Sequence, residues 1–164
     1  MADDLQIAEC RDFGLATVML RKGADAAAVG SVLGVAMPKG PACVTADGVT
    51  VIGTGPGVWL AFAADAAPSW GTDLAARLPG TSVSDQSGGY EILKLSGPGA
   101  RRALQKGAFI DLDPSAFGPG SAATTVIAHI GVVIWQDADA ASFHVALFRS
   151  YAQSFREWLR AAAY

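Results

Sequence analysis

Reactive side chains are scarce in this sequence. Its 164 residues include two cysteines, Cys10 and Cys43, and two histidines, His129 and His144. The spacing of the cysteines matches no zinc-binding or redox motif, so we expect buried or incidental thiols. Neither histidine has a nearby cysteine or carboxylate cluster, so we expect both to be structural. The sequence therefore predicts no catalytic residue of these two types.

Charge and long hydrophobic runs are also limited. Charged residues make up 16% of the chain and the net charge is −3, without the basic excess typical of nucleic-acid-binding proteins. No apolar run approaches the length of a membrane span, and the first residues, Met1 to Asp4, are acidic where a signal peptide is basic. We therefore expect no nucleic-acid or membrane partner and a cytoplasmic location.

Apolar residue types are abundant and make up 51% of the chain. A domain of this length hides roughly 70% of the surface that the extended chain exposes, which is enough for a core without disulfides or metals. Because the chain is more apolar than an average soluble domain, we expect a partner to cover part of its surface, and the isolated chain can self-associate. Residues 1–12 are polar and aperiodic, which favours an N-terminal arm followed by one domain over residues 13–164.

Glycine and proline divide this domain into short elements. The last helix begins at a capping box formed by Ser150 and Gln153, and Trp158 belongs to its buried apolar stripe. Both halves of the chain show the same element order, which predicts an α+β fold of duplicated β-α-β-β-α units with helices on one face of a mostly antiparallel sheet. Helices are predicted for residues 24–33, 68–78, 98–106 and 150–162, strands for 13–20, 49–53, 58–63, 90–95, 122–128, 131–136 and 143–148, a loop for 37–46 and a polar turn for 137–141.

Two arginines in the third helix are in an unfavourable position. Pro98 presets the first helical turn, so Arg101 and Arg102 lie close to the N-terminus of the helix. The positive end of the helix dipole is unfavourable for their positive charges. An anion or a partner carboxylate could explain them, and a solvated face is the alternative. The preceding Gly-Pro-Gly turn is not a P-loop, because the final Lys-Ser/Thr is absent.

A cation site is weakly indicated beyond this helix. Asp111 and Asp113 are spaced closely enough to bind a hard cation, but Pro114 makes a turn the simpler interpretation. We therefore predict no metal site in the chain.

A set of residues in the second half of the sequence carries a resemblance to a known family. The chain resembles the gamma subunits of heterotetrameric sarcosine oxidases, which are similar to the folate-binding domain of aminomethyltransferases. The matching residues are Asp85, Gln86, Ser87, Leu93, Gly97, Pro98, Ala100, Arg101, Leu104, Lys106, Gly107, Asp111, Leu112 and Phe117, followed by Arg149, Ser150, Trp158 and Leu159.

The resemblance implies a subunit of a complex that oxidatively demethylates sarcosine or a related N-methyl amino acid. It implies alpha, beta and delta subunits as partners, and it assigns FAD, FMN, NAD, tetrahydrofolate and zinc to those subunits, leaving no cofactor in this chain. Together with the arginines and the polar turn, it gives a set of expected partner-binding or anion-binding residues: Asp85, Gln86, Ser87, Arg101, Arg102, Arg149 and Ser150.

The comparison with aminomethyltransferases also implies a lost catalytic site. In those enzymes an acidic residue that serves the folate reaction follows the glycine that resembles Gly131. Here Val132, Val133, Ile134 and Trp135 follow it. We therefore expect no independent catalysis, although a subunit of an oxidoreductase complex is implied.

Two other interpretations stay open at this level. The first is a stand-alone folate-dependent aminomethyltransferase-like enzyme. The second is a folate-binding or assembly module similar to folate-dependent iron–sulfur assembly proteins, which requires a reactive cysteine in a recognisable motif. Neither Cys10 nor Cys43 lies in such a motif.

Overall fold

The computed structural model describes residues 4–139 and 142–164. Its elements in chain order are β1 (Gln6–Glu9), β2 (Gly14–Leu20), α1 (Ala26–Leu33), β3 (Cys43–Ala46), β4 (Val49–Gly55), β5 (Val58–Ala63), α2 (Trp70–Arg77), β6 (Thr81–Asp85), β7 (Tyr90–Ser96), α3 (Ala100–Gln105), β8 (Ala122–Ile127), β9 (Ile130–Gln136), β10 (Ser142–Phe148) and α4 (Ala152–Ala162). A 3₁₀ turn, Arg149–Tyr151, leads into α4.

The described chain forms two compact units. We call residues 11–89 the N-terminal unit, and residues 4–10 together with 90–164 the C-terminal unit. The N-terminal unit contains a sheet with the strand order β3-β4-β5-β2-β6, and the C-terminal unit contains one with the order β1-β7-β10-β9-β8. All of these neighbouring strands are antiparallel.

Both helices of the N-terminal unit cover the same face of its sheet. Val29 of α1 and Leu74 of α2 pack against Ala16, Val18 and Trp59 on that face. Burial of these side chains is the main source of stability for such short helices, because isolated helices of this length are unstable in water. Sequence signals fix the ends of α1, since the Asp25 side chain accepts a hydrogen bond from the Ala27 amide at 2.9 Å and Gly34 is left-handed.

The helices of the C-terminal unit are arranged in the same way. Leu104 of α3 and Phe155 and Leu159 of α4 are fully buried against the strands. Trp158 lies at the edge of this core and is only half-buried, which corrects its predicted place in the buried stripe. Its ring lies beside Gly107, where any larger side chain would collide with it.

The two sheets have equivalent topologies. The order β2-α1-β3-β4-β5-α2 repeats as β7-α3-β8-β9-β10-α4, and the strand orders correspond position by position. Ile7 of β1 pairs with Leu95 of β7, and Val83 of β6 pairs with Val18 of β2. The strand that precedes each repeat, β1 before the first and β6 before the second, therefore completes the sheet built by the other repeat.

The predicted α+β fold with duplicated units and antiparallel strands is confirmed, and all four helices are present with their ends shifted by one or two residues. The structure adds β3 within the predicted loop, β6 before the polar turn, and β1 where an arm without regular structure is predicted. All three lie at the edge of a sheet. A strand at an edge is stable with one apolar face or with partial burial. The assignment of residues 13–164 to one domain stays a prediction.

The capping box is wrong. Ser150 lies in the 3₁₀ turn, Tyr151 occupies the cap position without a side-chain hydrogen bond, and Gln153 instead donates to Glu157 at 3.0 Å. The predicted polar turn over residues 137–141 includes residues 140 and 141, which lie outside the described residues. Within the described residues, no helix has the length and apolarity needed to cross a bilayer.

Candidate partner-binding site

Arg101 lies in a network of hydrogen bonds rather than on a solvated face. Its guanidinium donates to the carbonyl oxygens of Leu112 and Phe117, the latter at 2.8 Å, and to Gln136 Oε1 at 3.1 Å. Its Cζ atom lies 4.9 Å from the centre of the Phe143 ring. A planar guanidinium can bind several acceptors in this way while stacking on an aromatic ring. Arg101 thus anchors the segment after α3, which explains its unfavourable position in the helix dipole.

Arg102 points to solvent from the same helix and lines a shallow cleft of about 620 Å³. Lys106 also lines this cleft, while its Nζ donates to the carbonyl of Ala162 at the end of α4, 2.8 Å away. Asp111 and Asp113 also line the cleft. The cleft therefore combines both signs of charge.

The two aspartates form local turns, as predicted. Asp111 Oδ1 accepts from the Asp113 amide at 2.8 Å, and Asp113 Oδ1 accepts from the amide and hydroxyl of Ser115. The hydrogen bonds from Ser115 hold the pKa of the Asp113 carboxyl below its ordinary value. In residues 4–139 and 142–164, His, Cys, Asp and Glu side chains form no cluster of three that could hold a metal ion.

Asp85, Gln86 and Ser87 connect strands of the N-terminal unit. The Ser87 hydroxyl accepts from the Leu15 amide at 2.9 Å and donates to the Leu15 carbonyl at 3.3 Å. Asp85 Oδ1 accepts from the Ser87 amide at 2.9 Å, and Gln86 Nε2 lies 3.4 Å from Thr17 Oγ1. These polar side chains therefore terminate the β2–β6 pairing, and the exposed part of Asp85 stays accessible.

Arg149 and Ser150 are exposed in the 3₁₀ turn at the end of β10. Arg149 Nη2 donates to the carbonyl of Tyr90 at 3.3 Å. Phe148 and Tyr151, on either side of this pair, are 52% and 51% exposed. Phe148 packs on the Tyr90 ring with centroids 4.8 Å apart, and partial burial raises the pKa of Tyr90. Arginine beside exposed aromatic rings is typical of protein interfaces.

The predicted binding residues do not all line one cleft. Arg101 and Arg102 share one cleft on α3, and Arg149 with Ser150 lies at the end of β10 and does not line that cleft. Asp85, Gln86 and Ser87 belong to the N-terminal unit.

The histidines occupy positions consistent with structural roles. His144 is buried, stacks on Trp135 with centroids 5.0 Å apart, and places Nδ1 3.1 Å from Asp137 Oδ1. Burial opposes ionisation of Asp137, but hydrogen bonds from His144 and Ser142 lower its pKa overall. His129 is exposed in the β8–β9 turn and makes an edge contact with Phe109.

The region after Gly131 is a buried strand. Val132, Val133, Ile134 and Trp135 are all buried in β9. No carboxylate belongs to this stretch, as the sequence shows.

Sequence reasoning missed an apolar groove in the N-terminal unit. We call it the α1 groove; it has a volume of about 650 Å³ and is formed by α1, the loop after it, and the turn between β4 and β5. Its lining includes Ala27, Gly30, Ser31, Met37, Lys39 and Trp59. The small residues of α1 are a signal for close approach, but the sequence alone does not separate a groove from a packed helix face.

Comparison with solved structures first defines the class of fold. The structure of glycine cleavage system aminomethyltransferase T from Bartonella henselae superposes with a TM-score of 0.72 over 95% of this chain and 45% of that chain, at 14% identity. At this identity the similarity concerns the fold alone. The fold is therefore that of the aminomethyltransferases, as the resemblance in the sequence implies.

The sequence comparisons then identify the family. The profile of the "Sarcosine oxidase, gamma subunit family" matches residues 20–164, so this chain belongs to that family. It is 33% identical over 142 residues to the sarcosine oxidase subunit gamma of Corynebacterium sp. (strain P-1), covering 81% of this chain and 66% of the relative. The match thus spans just under two thirds of that relative's length.

A solved structure supports the same family. The heterotetrameric sarcosine oxidase from Corynebacterium sp. U-96, in complex with pyrrole 2-carboxylate, contains a chain that superposes with a TM-score of 0.84. The match has 28% identity and covers 97% of this chain and 83% of that chain.

Proposed function

We propose that this chain is the non-catalytic gamma subunit of a heterotetrameric sarcosine oxidase-like complex and that it supports the assembly of that complex. The observation that carries the proposal is the similarity to the Corynebacterium assembly, which extends over 97% of this chain. The substrate of the whole complex would be sarcosine or a related N-methyl amino acid. The cytoplasmic location expected from the sequence is part of the same proposal.

The arrangement of polar side chains favours a structural role over catalysis. Arg101 is engaged by carbonyl groups, and His144 lies beside Asp137. The stretch from Val132 to Trp135 has no carboxylate where the aminomethyltransferase comparison expects one. A catalytic acid or base needs a partner that orients it and access for a substrate. His144 has such a partner in Asp137, but it is only 7% exposed and stacks on Trp135, which leaves little of its ring accessible to a substrate.

The proposal extends to the cofactors and to the remaining subunits. We assign FAD, FMN, NAD, tetrahydrofolate and zinc to the alpha, beta and delta subunits, with none held by this chain. Among the predicted binding residues, Arg102, Arg149 and Ser150 are exposed and would contact partners directly. Arg101, Gln86 and Ser87 would hold the adjacent surface in place, and Asp85 would offer its exposed edge.

Co-expression tests the proposal. The chain is produced with the alpha, beta and delta subunits, purified through a tag on another subunit, and its stoichiometry is measured by size-exclusion chromatography with light scattering. We expect one gamma chain in each complex. Complexes that form completely and stably without this chain would contradict the assembly role.

Charge reversal refines the test. The double variant Arg102→Glu and Arg149→Glu is expected to reduce incorporation at least tenfold, because two interface cations become anions. Arg160→Glu, an exposed change on α4, is the control and should assemble normally. Normal assembly of the double variant would remove these two residues from the proposed interface.

Calorimetry separates the subunit from a stand-alone folate enzyme. Titration of the isolated chain with tetrahydrofolate is expected to give no saturable binding, and the chain should oxidise no amine. One-to-one binding at micromolar concentration would instead favour the folate-dependent alternative.

A further inference from the structure

Two rings beside the β8–β9 turn lie outside the core of the C-terminal unit. Phe109, in the segment after α3, is 69% exposed, whereas Phe117 in the same segment is 5% exposed. His129 is exposed in the turn, and its ring meets the Phe109 ring with centroids 5.9 Å apart and an interplanar angle of 87°. A ring left in water gains little of the free energy that burial of an apolar side chain provides. Core stability therefore does not explain Phe109.

The backbone that carries these rings is held by hydrogen bonds. The Phe109 amide donates to the Val126 carbonyl at 3.1 Å, and the Ala128 amide donates to the Gly107 carbonyl at 3.1 Å. The segment after α3 and the β8–β9 turn are thus fastened to each other. Side chains on a backbone that is ordered before binding lose less conformational entropy when a partner contacts them.

The turn that carries His129 has an unfavourable backbone conformation. Ala128 and His129 have φ angles of 52° and 65°, which cost free energy for residues with a Cβ. The equivalent turn of the N-terminal unit contains Asp47 and Gly48, and this pair of residue types is favoured in such turns. The same topology therefore admits a turn with less strain, and stability does not explain the presence of His129 either.

We propose that Phe109 and His129 together form a contact site for another subunit of the complex. That subunit receives the phenyl ring in an apolar pocket and forms a hydrogen bond with the imidazole at the rim of the pocket. Aromatic residues are enriched at the centres of interfaces, and backbone strain is concentrated at sites where binding offsets it. An imidazole both donates and accepts hydrogen bonds, so a polar rim complements it. This inference rests on the proposed function, since the partner is another subunit.

Truncation of the exposed phenyl ring is the first test. Phe109→Ala is expected to reduce incorporation into the co-expressed complex at least tenfold, as for an aromatic residue that dominates an interface. Its denaturation midpoint should equal that of the wild type, because the ring is mostly exposed in the isolated chain. Met19→Ala removes a side chain of the N-terminal unit that is 49% exposed. This control should assemble as the wild type does.

The strained turn allows a test in which stability and assembly change in opposite directions. The double variant Ala128→Asp and His129→Gly should melt at a higher temperature but join the complex less well, whereas a purely structural role would not separate the two readouts. His129→Asn removes the imidazole and keeps a residue type that tolerates positive φ. It should reduce incorporation at least threefold, as expected for one lost hydrogen bond. Asp47→Asn, an exposed change in the equivalent turn, is the control and should assemble normally.

A photo-crosslinking amino acid at position 109 identifies the contact in the assembled complex. We expect a crosslink to another subunit, at a peptide rich in apolar residues. Normal assembly of Phe109→Ala, or a crosslink only to a second copy of this chain, would overturn the inference and leave the subunit assignment intact. Failure of the wild-type chain to join the complex would instead contradict the proposed function.

Discussion

The N-terminal and C-terminal units show how one topology can be completed in two ways. After α3, the C-terminal unit uses a long segment to place Phe117 on the Phe143 ring, where Arg101 of α3 also packs. The N-terminal unit uses a shorter loop, whose Pro38 carbonyl accepts from Trp59 and which lines the α1 groove. Equivalent strands thus carry a buried aromatic ring in both repeats, since Trp59 is 3% and Phe143 is 5% exposed. The difference teaches that one topology can cover an equivalent core position with segments of different length.

A second difference concerns the hairpins β3–β4 and β8–β9, which occupy the same place in the two repeats. The first turn contains Asp47 and Gly48, with φ angles of 49° and 77°. The second contains Ala128 and His129, with φ angles of 52° and 65°. Two-residue hairpins with positive φ at both positions favour Asp-Gly or Asn-Gly. At this hairpin the C-terminal unit therefore contains more backbone strain than the N-terminal unit.

Removal of the Phe117 side chain from the core of the C-terminal unit should have the largest effect on stability. Phe117→Ala is expected to lower the free energy of unfolding by about 3–5 kcal/mol, the range for a large aromatic side chain removed from a core. Phe109→Ala, in the same segment, is the control because Phe109 is 69% exposed, and its effect should stay below about 0.5 kcal/mol. Urea denaturation measures both effects. Equal effects of the two variants would contradict the assigned role of Phe117.

The same denaturation curves should show a single transition, since residues 13–164 are predicted to form one domain.

Arg101 should have the next largest effect. Arg101→Lys is expected to destabilise the chain by about 2–3 kcal/mol, because an ammonium group cannot reproduce the planar contacts with the Phe117 carbonyl, Gln136 and the Phe143 ring. Arg102→Lys changes an exposed neighbour and should have almost no effect on the denaturation midpoint. If Arg101→Lys were equally neutral, charge alone would account for the role of Arg101.

Exchange of turn residues sharpens the comparison of the hairpins. Replacement of Ala128 and His129 by Asp and Gly should stabilise the chain by about 1–2 kcal/mol, because it relieves left-handed backbone strain. The reciprocal change Gly48→Ala should destabilise it by about 1 kcal/mol, since a Cβ there meets no atom within 4 Å and only the backbone is affected. Thermal unfolding monitored by circular dichroism would detect both shifts. Shifts of the same sign would contradict the strain argument.

The smallest expected effect depends on pH. Asp137 follows β9, and its pKa is lowered in the folded chain, whereas the corresponding segment between β4 and β5 contains no titratable side chain. A lowered folded pKa stabilises the protein above the unfolded pKa of about 3.9, and this contribution disappears as the pH falls through the folded value. Asp137→Asn should therefore be less stable than wild type at pH 6, with the difference shrinking below about pH 4. Asp65→Asn, an exposed change in the N-terminal unit, is the control. A difference independent of pH would show that Asp137 acts without its charge.

The elements that sequence predicts well are those whose pattern is decided locally. The strand at Tyr90–Ser96 is a short run of apolar residues interspersed with polar ones and bounded by glycines, and Gly34 ends α1 in a left-handed conformation. In contrast, β6 has the sequence Thr-Ser-Val-Ser-Asp, and only pairing with β2 makes it a strand. Propensity cannot predict a strand whose stability comes from a distant partner.

The residues of the candidate site also differ in whether neighbouring residues are enough to predict their role. Arg102 and Arg149 are exposed, as expected of charged side chains on a helix surface and in a turn, and the sequence predicts both as binding residues. The acceptors of Arg101 come from Leu112, Phe117 and Gln136, up to 35 positions away in sequence, so no local pattern reveals them. The α1 groove was missed for a related reason, because its lining comes from α1, the loop after it and the turn between β4 and β5, which are distant in sequence.

The exchange of β1 and β6 between the repeats has a consequence for any attempt to separate them. A fragment with only the first repeat would contain β1 without β7, its pairing partner, and β2 without β6. Because Ile7 faces Leu95 and Val83 faces Val18 in equivalent registers, β1 of one fragment could pair with β2 of a second. Two such fragments would then form a strand-swapped homodimer with twofold symmetry. This chain has the topology expected when the genes of such a dimer are fused end to end.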